Sequence, residues 1–230
     1  MMIVEKEDKI AIDTFSQKPA AVIANGDGLL VDSSLLRENI SKVFFKRRGL
    51  DFLKKDVRAL SGLDVVEAAQ VIKQITNDHC TIPDILAEFA SIAQEINYRG
   101  FSLMPGALEF IDMLPKGVSK VVISSSPSRF IDDLATFTGK KHLYEFSMST
   151  QDVRRPKPFP DLYEEAIERL GYSPKKCFVF ECTENGCISA KAAGAFVVGI
   201  PYFSNKLLRA DIHFETLRSK KLRQYLSLWK

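Results

Sequence analysis

Residues 20–28 read Ala20-Ala21-Val22-Ile23-Ala24-Asn25-Gly26-Asp27-Gly28, five apolar residues running straight into an Asn-Gly-Asp-Gly turn. A run this short, closed by turn residues, reads as a buried strand. Four similar runs follow: Lys120 to Ile123, a weaker one from Tyr144 to Met148, Cys177 to Phe180, and Ala195 to Ile200. Between them lie helical patterns at Pro105–Leu114, Ser128–Phe137, Pro160–Leu170 and Glu184–Ala193, with Gly171 and Gly194 as stops. Strands alternating with helices predict an α/β fold with a parallel sheet and right-handed crossovers.

The interval after the first strand breaks this alternation. Leu35–Arg48, Asp64–Thr76 and Ile82–Asn97 carry helical periodicity and no convincing strand. About seventy residues is too long for a loop, so 34–103 is expected to be an inserted α-helical cap. The core is then 18–33 together with 104–212. Residues 1–17 are an extension with a short strand expected at Lys9–Phe15, and 213–230 a basic C-terminal helix.

The 230 residues are 46% hydrophobic and 27% charged, which excludes disordered and collagen-like chains. No apolar stretch approaches the roughly 18 residues of a membrane span. The net charge of +3 belongs to the tail: from Thr216 to Lys230 there are five cations, Arg218, Lys220, Lys221, Arg223 and Lys230, and no acid. Phe214, Leu217, Leu222, Leu226 and Trp229 recur there at roughly helical spacing, so the cations read as the outer face of a docked helix. No nucleic-acid or membrane partner is expected, and a protein partner is left open. The charged start MMIVEKEDKI does not resemble a signal peptide. Cysteines at 80, 177, 182 and 187 form no CxxC pair. Reduced thiols and a cytoplasmic location are expected.

Ligands of open α/β sheets bind outside the carboxyl ends of the strands, so the residues directly after each run carry the chemistry. They are Asn25 and Asp27 after the first, Ser124 and Ser125 after the second, Lys157 ahead of the Pro160 helix, and Glu181 and Cys182 after the fourth. Carboxylates, hydroxyls and a lysine at one edge suit a phosphate and a cation. Asn25 also reads as a turn residue, and Cys182 as an apolar filler.

These four segments, with ENGCISAKAAGA and MPGALEFIDML, resemble the motifs of the haloacid dehalogenase superfamily. The likeness covers about 18–205 and points to its β-phosphoglucomutase-like phosphatase branch. It implies a Rossmann-like core with a helical cap, a phosphorylated small-molecule ligand and Mg2+. It also implies roles: a nucleophile at Asn25, an acid/base at Asp27, phosphoryl contacts from Ser124, Ser125 and Lys157, and metal ligation by Asp27, Glu181 and Cys182. The loop Ser61-Gly62-Leu63-Asp64 corresponds to a substrate loop that carries a basic residue in many relatives and carries Leu63 and Asp64 here.

Two positions depart from the family pattern. Members have an aspartate where this chain has Asn25, and an amide is no anionic nucleophile. They have a second acid where this chain has Cys182, and magnesium prefers oxygen. The resemblance with these departures implies a hydrolase-like protein impaired in covalent phosphoryl transfer, with Mg2+ binding weak or absent. About two negative charges are missing near Lys157, which favours phosphate without magnesium. The alternatives are an active phosphatase or phosphomutase in which Asp27 activates water, a carboxylate regenerated by deamidation of Asn25-Gly26, and a non-enzymatic scaffold or regulator.

Overall fold

The computed structural model describes residues 18–60, 63, 65–96, 102–125, 144–202 and 208–229. The extension 1–17, the Ser128–Phe137 helix and all of the Ser61–Asp64 loop except Leu63 lie outside them. The described chain forms two compact units. One runs up to Val31 and resumes at Leu103; the other is Asp32–Ser102.

The first unit is built on a six-stranded sheet. Its strands are β1 (Ala21–Asn25), β4 (Ser119–Ser124), β5 (Phe146–Ser149), β6 (Cys177–Glu181), β7 (Phe196–Gly199) and β8 (Ile212–His213). Their order is β5-β4-β1-β6-β7-β8, and every neighbouring pair is parallel. Parallel strands are covered on both faces, which is why β1 and β6 are continuous apolar runs rather than alternations. Two short strands, β2 (Val31–Asp32) and β3 (Ser102–Leu103), pair with each other where the chain passes between the units.

On one face of the sheet, Ala21, Ile23, Val121, Ile123 and Val179 pack against Leu162, Tyr163, Ala166, Cys187 and Ala190. These come from α6 (Asp161–Leu170) and α7 (Glu184–Ala192). Gly171 ends α6 in the left-handed conformation, at φ 69°. On the other face, Phe110 of α5 (Ala107–Met113) meets Phe180 at 4.8 Å between ring centroids. Trp229 follows α8 (Lys220–Ser227) and sits fully buried, edge-on to Phe178 and Phe180.

The tail differs from the single helix expected over 213–230. His213 belongs to β8, because it pairs in parallel with Gly199 of β7, and helix begins only at Lys220. Phe214 and Leu217 are buried ahead of it, so their spacing reflects packing of an irregular segment.

The second unit holds α1 (Ser34–Arg47), α2 (Lys54–Leu60), α3 (Val65–Thr76) and α4 (Ile82–Glu95). Phe44, Phe45, Ala69, Ile72, Ile85, Phe89 and Ile92 form its core. Thr81 and Asp84 cap α4 reciprocally, each side chain accepting the other residue's backbone N–H. Arg48 draws Asp78 and Glu88 together and lies over the Phe44 ring. Lys42 pairs with Glu38 at 2.6 Å. Among the described residues no helix is long and apolar enough to cross a membrane.

Candidate functional site

Strand ends place the site. Asn25 closes β1, Ser124 closes β4 and Glu181 closes β6, three adjacent parallel strands, so their side chains share one edge of the sheet. Lys157 reaches them from the segment before α6, and Cys182 follows β6 directly.

Glu181 is the hub. It is fully buried, and both carboxylate oxygens are occupied. Oε1 accepts from Lys157 Nζ at 2.6 Å and from the Tyr163 hydroxyl at 2.7 Å. Oε2 accepts from the backbone amides of Cys182 (2.8 Å) and Thr183 (3.0 Å), from Thr183 Oγ1 (3.1 Å), and from Asn25 Nδ2 (3.4 Å). Burial opposes its ionisation, but the Lys157 ammonium and these donors outweigh that and hold it below the usual carboxylate range. Burial, then the Glu181 charge, pushes the Tyr163 hydroxyl well above its ordinary value, so Tyr163 is a donor here.

Asn25 is 2% exposed, and its amide is used at both ends. Oδ1 accepts from Lys157 Nζ at 3.3 Å. Nδ2 donates to the Asp27 carbonyl at 2.9 Å and towards Cys182 Sγ at 3.4 Å. The Cys182 thiol donates to that same carbonyl at 3.1 Å. Burial, then the charge of Glu181, raises the Cys182 thiol far above its ordinary value, so it stays protonated. The Asp27 carbonyl therefore faces two hydrogens, one on nitrogen and one on sulfur.

The Asp27 carboxylate lies on the other side of the turn. Its Oδ2 accepts from the Ser124 hydroxyl and, at 2.9 Å, from the Ser125 amide. Thr150 Oγ1 donates to the Ser125 carbonyl at 3.2 Å, bracing the end of β4. Gly28, at φ 78°, lets the turn pass close to Cys182 and Tyr202.

Magnesium needs oxygen donors in near-octahedral array, and the residues present do not fit it. Glu181 has both oxygens engaged by donors, Cys182 is a protonated thiol, and the Asp27 carbonyl is approached by hydrogens. Among the described residues no three His, Cys, Asp or Glu side chains gather as a metal-holding group.

The structure thus brings Asn25, Lys157, Glu181 and Cys182 into one network and joins Asp27 to Ser124 and Ser125. Sequence reasoning missed Tyr163 and Gly186. Tyr163 stands on the apolar face of α6, and only tertiary packing reveals its hydroxyl contact. Gly186 receives the Thr183 cap in its backbone amide at 3.1 Å and leaves room for the Glu181 carboxylate. Its place in the Glu184-Asn185-Gly186 turn of helix was the available signal.

Known proteins share the sequence pattern and the fold of this chain. Validoxylamine A 7′-phosphate phosphatase of Streptomyces hygroscopicus subsp. limoneus is 27% identical over 194 residues, 83% of this chain and 91% of the relative. A candidate β-phosphoglucomutase from Bacteroides vulgatus has the same fold, with a TM-score of 0.73 at 22% identity over 98% of this chain and 99% of that one. So does an aspartate-to-asparagine variant of CbbY from Rhodobacter sphaeroides in complex with xylulose-(1,5)-bisphosphate, with a TM-score of 0.68 at 19% identity over 86% and 95%. The model of the haloacid dehalogenase-like hydrolases matches residues 25–200, and the chain belongs to that family.

Proposed function

We propose that this chain binds a phosphorylated small molecule without covalent phosphoryl transfer and without magnesium. The observation that carries the reading is the state of Asn25. Its oxygen accepts from Lys157 and its nitrogen donates to the Asp27 carbonyl. The side chain at the nucleophile position is therefore a neutral spacer in a closed network. Losing a nucleophile costs about 10⁶ in kcat in an unrelated hydrolase, or roughly 8 kcal/mol of barrier. The CbbY complex supports the binding half of the reading, since an asparagine-substituted member of this fold is found with a sugar bisphosphate.

The test is a phosphatase screen over sugar phosphates with Mg2+, beside calorimetry with and without chelator. Wild type is expected to bind without turnover, with affinity unchanged by chelator. The Asn25→Asp, Cys182→Asp double variant is expected to gain Mg2+-dependent turnover. Wild-type turnover that Asp27→Ala abolishes, in protein whose Asn25 is verified by mass, would establish a rearranged enzyme instead. An absolute requirement for Mg2+ in binding would overturn the metal-free reading. Neither binding nor turnover in either protein would favour a scaffold.

A further inference from the structure

We infer that the Asp27 carboxylate is an internal anion that competes with the ligand's phosphoryl group, so that Asp27 sets the affinity of this site. The inference rests on the reading that the pocket takes a phosphorylated ligand. Two donors at the end of β4, the Ser124 hydroxyl and the Ser125 amide, both deliver their hydrogens to Asp27 Oδ2. Ser124 is fully buried, and Asp27 and Ser125 are partly buried. A hydroxyl and a backbone amide each carry one hydrogen. While Asp27 holds both, neither is fully available to a phosphate oxygen.

Charge acts in the same direction. A phosphate taking these donors meets a carboxylate at hydrogen-bond distance, and like charges repel more strongly where water is thin. Lys157 does not relieve this, because it stands 2.6 Å from Glu181 and already balances that carboxylate. Entry of a phosphoryl group requires Asp27 to turn out of the cradle, and the cost of that movement lowers the affinity. Cys182 and Asn25 add no positive charge to offset it.

The test is calorimetric titration of inorganic phosphate, with chelator present, into the full-length chain and its Asp27→Asn and Asp27→Ala variants. The asparagine removes the charge at constant size, and it guards against the alanine variant failing to fold. Affinity is expected to rise in the order wild type, D27N, D27A, with D27A at least tenfold tighter, about 1.4 kcal/mol. Binding seen only in the variants supports the inference equally. Equal or weaker binding by both variants, with wild type binding, overturns it while leaving the phosphate site in place. Absence of binding by all three folded proteins overturns both the inference and the ligand reading beneath it.

Discussion

The carboxylate of Glu181 lies so close to Gly186 that a Cβ on Gly186 would stand 2.1 Å from Oε1 and 2.4 Å from Oε2. The helix after β6 can approach the site only because residue 186 has no side chain. The obstacle such a side chain would meet is a buried carboxylate held by Lys157, Tyr163, Cys182 and Thr183.

Gly186→Ala must therefore displace Glu181 or the start of α7. Overpacking and a disrupted buried ion pair together predict a loss of about 3 kcal/mol. The denaturant midpoint measures it, and a shift below about 0.5 kcal/mol would show that Glu181 has room to move.

Removing one partner of the buried pair leaves the other charge uncompensated. Lys157→Met and Glu181→Gln should each cost about 3–5 kcal/mol. The double variant should cost clearly less than the two losses combined, because neither charge is then stranded. A double-mutant cycle by chemical denaturation reads the coupling, and additive losses would contradict it.

The depressed pKa of Glu181 links stability to pH. A carboxylate whose folded value lies below its unfolded value stabilises the fold above the ordinary value, about 4.3. That contribution is lost as pH falls through the folded value. Unfolding free energy should therefore decline on acidification below about pH 5. The decline should be shallower in Glu181→Gln, and parallel curves would remove Glu181 from the linkage.

Asn25-Gly26 is a deamidation-prone pair in a free peptide, yet the fold restrains both halves. The Gly26 amide that would attack donates to the Ile123 carbonyl at 2.6 Å, and the Asn25 amide is buried in the network. In native protein held at mildly alkaline pH, peptide mapping should find Asn25 intact. In urea the same peptide should convert. Conversion at equal rates would show that the native turn opens freely.

Of the four cysteines, Cys80 is exposed and Cys177, Cys182 and Cys187 are buried. Burial raises the Cys177 thiol to about 11 and raises Cys182 and Cys187 further. Thiolate is the reactive form. A thiol-reactive chromophore should label one cysteine in the native chain and four after unfolding. Rapid labelling of Cys182 would mean that the site opens.

The strands β1, β4, β6 and β7 were legible because a strand buried on both faces must be apolar throughout. The residues following them were legible because a parallel sheet gathers its loops at one edge. The helix Lys54–Leu60 was not, since Lys-Lys-Asp-Val-Arg-Ala-Leu shows no apolar stripe. The two-residue strand Ile212–His213 is too short to leave a pattern. At the site, residue types could be read but their pairing could not. That Asp27 turns its carboxylate to Ser124, and its carbonyl to Asn25 and Cys182, depends on the path of the turn.

Trp229 is the only tryptophan in the chain, and it stacks edge-on against Phe178 and Phe180, the latter adjoining Glu181. The protein thus carries its single indole at the back of the strand that delivers its central carboxylate. Emission colour reports, without any label, whether the end of the chain is seated and whether β6 is in place behind the site.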